Sequence, residues 1–530
     1  LLSGLTLLTP KIGFSQDRAP TVTLTNSDSD NLIAASDTVT ITASFSEAMT
    51  ATPTLSISGL LSSTAFTSYT QDWFQLGADI DGQAINDYSG KSVSLSSDGT
   101  ILAIGGKQIS GDYGYARGHV NIYKWSGSAW TPLGSEIEGE NPFDFFGTSV
   151  SLSSDGTRVA IGAYGYDRGA VQMTGRVSIF EYSSGSWIRL GNGIEGEESN
   201  DYTGESVSLS SNGTRVAIGS YNHNSSKGQV RIFEYIDSSW IQLGEIEGDN
   251  YSTLGASVSL SSDGSRLAIG GSGVTVSPQK GRVKMYEYTP SGVASWTQLG
   301  PDIIGTATSD MSGVSVSLSS TGSRVAILSP SSDGAGNSFG HVATYEYTPS
   351  GTDSWTQLGV NIDGISIGEH SASRVSNFTV SLSSDGSRLA IGRPNYPYGV
   401  NNGRVSIHEY TPLTDSWTQL GSNIIGEAAG DVAGVSVSLS SDGTSVAIGS
   451  TGNDGSFTSA GHVRVYSLGG YQYPWNVDGN GTPSDGSYSA TVSGTDTNGN
   501  AYVAGTQSIT FTIDTTAPSV SLTNTDNNNK

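Results

Sequence analysis

The chain has 530 residues, including 70 Gly and no Cys, and only 14% of its residues are charged. With 49 Asp and Glu against 24 Lys and Arg, its net charge is −25, which excludes a nucleic-acid partner because phosphate backbones demand a basic surface. The lack of Cys excludes thiol catalysis, Cys-ligated zinc and disulfide bracing, and no stretch approaches the roughly 20 apolar residues of a membrane-spanning helix.

The start of the chain leaves two interpretations open. Residues 1–19 contain a short apolar stretch followed by Pro10 and Lys11. They are either the remnant of an export leader without its basic start or a linker from an upstream module. The sequence APTVTLTNSD at residues 19–28 recurs as APSVSLTNTD at residues 517–526. We therefore expect one module to begin near residue 20 and a sibling to begin within residues 516–530.

Residues 20–68 and 469–515 carry short segments of alternating polarity, which predict half-buried strands. Neither flank holds enough strands for a two-sheet core, but together they have about the length of an immunoglobulin-like sandwich. The predicted strands are Thr21–Thr25, Thr38–Phe45, Thr54–Ser58, Tyr471–Val477, Gly486–Gly494 and Ser508–Asp514.

The flanks resemble bacterial immunoglobulin-like modules in Ala43–Met49, Gly486–Val492 and Ile513–Pro518. The resemblance implies a single domain that is split between the two flanks, with residues 69–468 inserted into one of its loops. A closed ring places its first and last strands side by side, so that chain entry and exit can replace a hairpin loop.

Between the flanks a pattern recurs seven times. It consists of Ser-Val-Ser-Leu-Ser-Ser-Asp-Gly, a strand such as Arg158–Gly162, a variable loop, a strand such as Gly175–Tyr182, and Trp-x-x-Leu-Gly. Four short strands in each repeat is the content of a β-propeller blade. The repeated tryptophans are Trp73, Trp130, Trp187, Trp240, Trp296, Trp355 and Trp417.

The phase of the repeats predicts a ring. The first Trp segment, Trp73–Gly77, has no partner strands before it, and the last repeat, Val437–Ser467, has no Trp strand after it. Pairing the two completes a seventh blade and leaves no open edge, whereas a solenoid would need polar capping repeats. We predict an all-β chain, a seven-bladed β-propeller inserted into an immunoglobulin-like β-sandwich.

The segments Phe146–Leu152, Val159–Ala163 and Gly175–Phe180 resemble the FG-GAP repeat. That family forms the propeller of integrin α subunits and of many bacterial surface proteins, which implies a role in cell adhesion. Calcium-binding members carry several carboxylates in a D-x-D-x-D-G loop, whereas the turn here offers only Asp98. Because calcium prefers six to eight oxygen ligands, we do not expect it in the blades.

Most residues that could carry chemistry occupy repeated slots, which predicts structural roles. His119, His341 and His462 share a slot held elsewhere by Arg or Gln, which predicts an exposed position. The tryptophans predict packing between blades, and the turn aspartates predict hairpin corners. Cap or turn roles are expected for Asp87, Asp144, Asp201, Asp310 and Asp431. The sequence nominates no catalytic residue.

The loop after the second strand varies between repeats, which is typical of a binding face, although unselected drift explains it equally well. Aromatic residues in these loops offer contact area for a protein or glycan ligand. The candidate ligand-binding residues are Tyr113, Tyr115, Tyr164, Tyr166, Tyr221, Tyr396 and Tyr398.

One candidate metal site lies in the second flank. Asp496, Asn498 and Asn500 place oxygen donors at alternate positions, and Asp514 lies at the junction to the next module. Calcium is expected near such junctions from the resemblance to bacterial tandem modules. The alternative is a glycine-turned loop with solvated polar side chains.

These observations favour a non-enzymatic extracellular recognition or adhesion module, either secreted or at the cell surface. On this hypothesis, propeller loops bind a protein or carbohydrate ligand, and linked immunoglobulin-like modules form a stalk. Two alternatives stay open. One is a propeller enzyme acting on polysaccharide, which needs a converging cluster of carboxylates, Tyr or His in the central funnel. The other is a purely structural spacer.

Overall fold

The computed structural model describes residues 70–477 except 108–115, 274–279, 291–294, 309, 331–339, 350–353, 365–378, 398 and 456, and side chains within residues 72–469. Outside that range it describes the backbone of seven strands. The chain divides into two compact units, Trp73–Leu468 and a unit formed by Leu1–Asp72 and Gly469–Lys530.

The larger unit contains seven antiparallel sheets within its described residues. Six are built from consecutive strands, and the seventh combines strands from both ends of the unit. The innermost strands are β8 (Ser92–Leu95), β13 (Phe146–Leu152), β18 (Ser206–Leu209), β22 (Leu254–Leu260), β27 (Ser315–Leu318), β32 (Val380–Leu382) and β37 (Ser436–Leu439). The second strands are β9 (Ile101–Gly106), β14 (Arg158–Ala163), β19 (Arg215–Ser220), β23 (Arg266–Gly271), β28 (Arg324–Ser329), β33 (Arg388–Arg393) and β38 (Ser445–Ser450). We number the sheets as blades 1 to 7 in this order.

The outer half of each blade holds the longer third strand and the Trp-bearing fourth strand. The third strands are β10 (His119–Trp125), β15 (Arg176–Ser183), β20 (Gln229–Ile236), β24 (Arg282–Thr289), β29 (His341–Thr348), β34 (Arg404–Thr411) and the first part of β39 (His462–Val477). The fourth strands are β11 (Trp130–Pro132), β16 (Ser186–Arg189), β21 (Ser239–Glu247), β25 (Ser295–Gln298), β30 (Ser354–Gln357), β35 (Ser416–Gln419) and β6 (Thr70–Gln75). Short strands that also pair with the third strand are β7 (Ile80–Asp81), β12 (Ile137–Glu138), β17 (Ile194–Glu195), β26 (Ile303–Ile304), β31 (Ile362–Asp363) and β36 (Ile424–Ile425).

Blade 7 closes the ring as predicted. Its strands β37, β38 and β39 come from the end of the propeller, and β6 and β7 from its beginning pair with β39. The Leu76 N–H donates to the Val465 carbonyl over 2.7 Å, and His462 faces Asp81 in the register. The seven-bladed propeller is therefore confirmed.

Two circles of hydrogen bonds join neighbouring blades around the axis. In one, a serine hydroxyl of each innermost strand accepts from the leucine N–H of an adjacent innermost strand over 2.9–3.0 Å. In the other, the backbone N–H of each of seven turn serines donates to the carbonyl of the turn serine in the next blade over 2.7–2.8 Å. The circle closes where the Ser441 N–H donates to the Ser97 carbonyl. These circles explain why the Ser-Val-Ser-Leu-Ser-Ser pattern repeats.

The tryptophans pack between blades, as predicted. Most indole N–H groups donate to the backbone carbonyl of the Leu in the preceding blade's Trp-x-x-Leu-Gly segment, for example Trp187 to Leu133 over 2.7 Å and Trp73 to Leu420 over 2.8 Å. Trp417 reaches the Thr344 hydroxyl instead. The buried Nε1 of Trp296 has no hydrogen-bond partner.

The turn aspartates form hairpin corners, also as predicted. Asp98 accepts from the Ser96 hydroxyl over 2.7 Å and from the Thr100 N–H over 3.0 Å. Burial acts to raise the pKa of Asp98, but these hydrogen bonds outweigh it and the net pKa is lowered. Asn212 makes the same contacts in blade 3.

We expect these aspartates to contribute to acid sensitivity. A carboxylate whose pKa is lower in the folded state stabilises the fold above its unfolded pKa of about 4, and that contribution is lost as the pH falls through the folded pKa. Replacing Asp98, Asp155, Asp263, Asp385 and Asp442 with Asn should flatten the decline in unfolding free energy below about pH 5. Urea unfolding across this pH range tests it, and an unchanged slope would contradict the assignment.

The flanking unit contains two sheets whose strands come from both flanks. One contains β1 (Val22–Asn26), β3 (Val39–Phe45) and the last part of β39. The other has the order β2, β41, β40, β4, β5. Their bounds are Leu32–Ala34 for β2, Thr54–Ile57 for β4, Leu61–Ala65 for β5, Gly486–Ser493 for β40 and Ser508–Asp514 for β41. Strand pairs β3–β39, β4–β40 and β2–β41 each join an N-terminal to a C-terminal segment.

Helix is almost absent from the described residues. A single turn, α1 (His223–Ser226), follows β19. No helix found there has the length and apolar character required to span a bilayer.

Candidate functional site

In five blades, the loop that precedes the innermost strand is built around a buried aspartate. Asp144, Asp201, Asp310 and Asp431 each accept a hydrogen bond from the backbone N–H three residues earlier, over 2.6–2.8 Å. Asp87 accepts from the N–H four residues earlier over 3.3 Å. The predicted turn-capping role is confirmed, and the turn fixes the residue that follows.

That following residue adopts a left-handed conformation. Tyr88, Phe145 and Tyr202 have φ of 54°, 52° and 53°, a region that bulky side chains rarely occupy. Such strain persists only where surrounding structure determines it, and it concentrates at functional sites. The left-handed conformation holds these three aromatic side chains of blades 1 to 3 at the end of the propeller where the innermost strands begin.

These side chains form an aromatic arc with residues that follow the second strands. Phe145 stacks on Tyr164 with ring centroids 4.9 Å apart, and Tyr202 stacks on Tyr221 at 5.6 Å. Tyr164 meets Tyr202 edge-on at 6.0 Å, which joins blade 2 to blade 3. The Lys107 ammonium lies 5.3 Å from the Tyr88 ring and 5.9 Å from the Phe145 ring. The arc spans three consecutive blades.

Two half-buried charged residues lie beside the arc. Lys91 precedes β8 and Glu205 precedes β18, in the same repeat slot. The other described occupants of this slot are uncharged, namely Thr148, Ala256, Val314 and Val435. We call Lys91, Lys107, Tyr164, Tyr202, Glu205 and Tyr221 the axial cluster.

Burial moves the pKa values of the two charged residues in opposite directions. It lowers the pKa of Lys91, opposed by the Glu205 carboxylate and assisted by the Lys107 cation. It raises the pKa of Glu205, opposed by the Lys91 cation. Both shifts favour the neutral forms, an amine that can accept a proton and a carboxylic acid that can donate one.

Tyr164 and Tyr221 of the cluster stay protonated at neutral pH. Burial and the Glu205 carboxylate raise the pKa of Tyr164 to about 12, and the same two causes raise the pKa of Tyr221. Their phenols can therefore donate hydrogen bonds, while their ring faces provide stacking area.

The predicted tyrosines fall into separate groups. Tyr164 and Tyr221 belong to the axial cluster. Tyr166 and Tyr396 instead lie under the guanidinium groups of Arg176 and Arg404, at 5.0 Å and 4.3 Å from the ring centroids. The remaining three, Tyr113, Tyr115 and Tyr398, are outside the described residues.

The predicted calcium site lies almost wholly outside the described residues. Asp496, Asn498 and Asn500 belong to that undescribed part, and Asp514 ends β41 with only its backbone described. Calcium in this flank stays a prediction.

The repeated histidines are buried, so their predicted exposure was wrong. His119, His341 and His462 are 4%, 6% and 0% exposed. The start of the third strand lies next to the loops with the capping aspartates, and His119 Nε2 is 3.6 Å from the Asp87 carboxylate. Burial lowers the pKa of His341 and of His462. A His, Arg or Gln fits this slot because nearby carboxylates compensate its polar group.

A separate cleft of about 280 Å³ lies between blades 2 and 3. Arg231, Phe233 and Trp240 line it, and no member of the axial cluster does. It brings together no acid and base with opposed pKa shifts, so the axial cluster is the stronger candidate site.

Comparison with known proteins identifies no family for the chain. No family model matches it, and no curated protein sequence does. Three solved structures illustrate the structural matches. A protein from Bacteroides uniformis described as a candidate 6-phosphogluconolactonase shares 11% identity over 72% of this chain and 98% of its own, with a TM-score of 0.44.

The other two matches are similarly distant. The periplasmic gluconolactonase of Pseudomonas aeruginosa shares 13% identity over 74% of this chain and 93% of its own, with a TM-score of 0.41. The β-propeller domain of the Trilobed protease from Pyrococcus furiosus shares 10% identity over 74% of this chain and 98% of its own, with a TM-score of 0.40. At this distance the matches identify no reaction.

The prediction of a non-enzymatic recognition or adhesion module was wrong. The three matched structures are described as lactonases and as part of a protease, and none of them as a recognition or adhesion module. The alternative that the sequence left open is a propeller enzyme acting on polysaccharide. That alternative required a converging cluster in the central funnel, and the axial cluster brings together a carboxylate, two lysines and three tyrosines.

Proposed function

We propose that this chain is a propeller enzyme that cleaves an acidic polysaccharide at the axial cluster. The observation that carries the proposal is the convergence of Lys91 and Glu205 beside an aromatic arc where the innermost strands begin. Aromatic faces stack on sugar rings, and a paired base and acid supply proton transfers.

The composition of the cluster favours elimination over hydrolysis. Glycoside hydrolysis generally uses two carboxylates on either side of the bond, and Glu205 is the one carboxylate within the axial cluster. Elimination from a uronic acid needs a base at the carbon next to the carboxylate, an acid at the leaving oxygen and a cation for the carboxylate. Lys91, Glu205 and Lys107 match these three requirements.

The proposed reaction balances without a cofactor. The neutral Lys91 amine removes the C5 proton of a uronate, whose carboxylate is held by Lys107. The electron pair forms a C4=C5 double bond as the C4–O bond breaks, and the Glu205 carboxylic acid protonates the departing oxygen. One chain becomes two, and the new non-reducing end is unsaturated. A proton transfer from Lys91 to Glu205 through solvent restores both groups.

Three acidic polysaccharides test the proposal directly: polygalacturonate, alginate and hyaluronan. We expect at least one to yield products that absorb in the ultraviolet through the new double bond, while neutral dextran yields none. New reducing ends without ultraviolet absorbance would indicate hydrolysis and contradict the elimination. No cleavage of any of the three would contradict the proposed substrate class.

We also propose that the flanking unit is a split immunoglobulin-like sandwich and that the repeats are of the FG-GAP type. The first proposal is supported by strands from both flanks pairing in two sheets. The second is supported by a glycine that recurs two residues after the left-handed aromatic residue of blades 1 to 3. These glycines are Gly90, Gly147 and Gly204, and their φ is 88–91°.

A further inference from the structure

Blade 7 brings one histidine and two aspartates together where the ring closes. Strand β7 pairs with β39 so that Asp81 faces His462, and Asp79 lies just before β7. One ligand atom from each of Asp79, Asp81 and His462 lies within 4.8 Å of the others. The residues come from opposite ends of the propeller sequence.

The histidine is buried without a hydrogen bond. His462 is 0% exposed, and neither ring nitrogen has a hydrogen-bond partner. A buried polar group left in this way costs free energy unless something else satisfies it. The nearest carboxylate oxygen, Asp79 Oδ2, is 3.5 Å from Nδ1, while Asp79 Oδ1 accepts from Gln75 over 2.6 Å.

This spacing suits two ligands of one metal ion. Zinc binds His nitrogen and carboxylate oxygen at about 2.0–2.2 Å in a tetrahedron, which puts two ligand atoms about 3.4 Å apart. We propose that Asp79, Asp81 and His462 bind one Zn²⁺ ion that fastens the first strands of the propeller to its last strand. Asp81 is exposed, so the ion can enter and water can occupy the fourth position.

A second group of three such side chains among the described residues is already satisfied. In the group formed by Glu198, Asp201 and His223, Asp201 Oδ2 accepts from two backbone N–H groups and Oδ1 lies 3.1 Å from His223 Nδ1. This group needs no ion and provides a control.

Blade 5 offers a matched arrangement that lacks one ligand. His341 faces Asp363 in the same register, but Asn361 occupies the slot of Asp79 and accepts from Gln357 over 2.8 Å. Asp79→Asn therefore converts the blade 7 site into the blade 5 arrangement, and Asn361→Asp does the reverse. Both substitutions use residues that the repeat already accommodates, so folding should be retained.

Zinc titration of the metal-stripped chain, followed by calorimetry and thermal unfolding, tests the proposal independently of any polysaccharide cleavage. We expect one Zn²⁺ per chain and a melting temperature that rises with zinc concentration. Asp79→Asn should bind none, Asn361→Asp should bind two, and Glu198→Gln should match the parent. Absence of stoichiometric binding in the parent, unchanged binding in Asp79→Asn, or no second ion in Asn361→Asp would each overturn the proposal.

Discussion

Glu205→Gln should reduce the turnover of the polysaccharide substrate about 10²–10⁴-fold, the usual contribution of a general acid. The amide keeps the size of the side chain but cannot donate the proton that the leaving oxygen needs. Substrate affinity should change little, because the aromatic arc and Lys107 remain. The measurement is the initial rate of ultraviolet absorbance gain on the polysaccharide that the parent cleaves.

Two further variants separate chemistry from folding. Glu198→Gln removes an exposed carboxylate from the loop before the same blade and should retain parental turnover. Glu205→Thr places in blade 3 the residue that blade 2 carries as Thr148, so the ring should fold and remain inactive. Turnover of Glu205→Gln within a few-fold of the parent would contradict the role of Glu205 as the acid.

Trp73→Ala should destabilise the propeller by about 3–5 kcal/mol, the usual cost of deleting a large buried aromatic side chain. Trp73 is 7% exposed, lies in the strand that closes the ring, and belongs to the core cluster of blades 6 and 7. Its loss opens a cavity at the seam where the ends of the propeller meet. Urea unfolding followed by tryptophan fluorescence measures the change in unfolding free energy.

Phe substitutions test the indole hydrogen bond separately. Trp73 Nε1 donates to the Leu420 carbonyl, whereas Trp296 Nε1 has no hydrogen-bond partner. Trp73→Phe should therefore cost about 1 kcal/mol more than Trp296→Phe. Equal costs would show that the hydrogen bond across the seam adds nothing to stability.

The repeat pattern predicted more of the fold than of the site. The recurring Trp segments and Ser-Val-Ser-Leu segments predicted the blades, because equivalent strands of every blade pack with the same residue types. The signal for the axial cluster was also in the sequence, as departures from the repeat. Lys91 and Glu205 are the charged occupants of an otherwise uncharged slot, but variation alone does not distinguish function from drift.

The histidine slot shows why burial could not be predicted. Exchange of His119 with Arg and Gln in other repeats is typical of an exposed position, yet the residue is buried. A carboxylate from a preceding loop lies close to its polar ring and offsets the cost of burying it. That carboxylate lies far from it in sequence, and no local pattern indicates that the two will meet.

The amino-acid sequence by itself determined the number of blades, their order of strands, the hairpin corners and the closure of the ring, because these depend on local periodicity and on the phase of the repeats. Only the tertiary structure decided that Lys91 and Glu205 lie together beside the tyrosines, and that Asp79 and Asp81 meet His462. Those encounters depend on how the blades are arranged around the axis, where residues from different repeats lose water together and change each other's proton affinity.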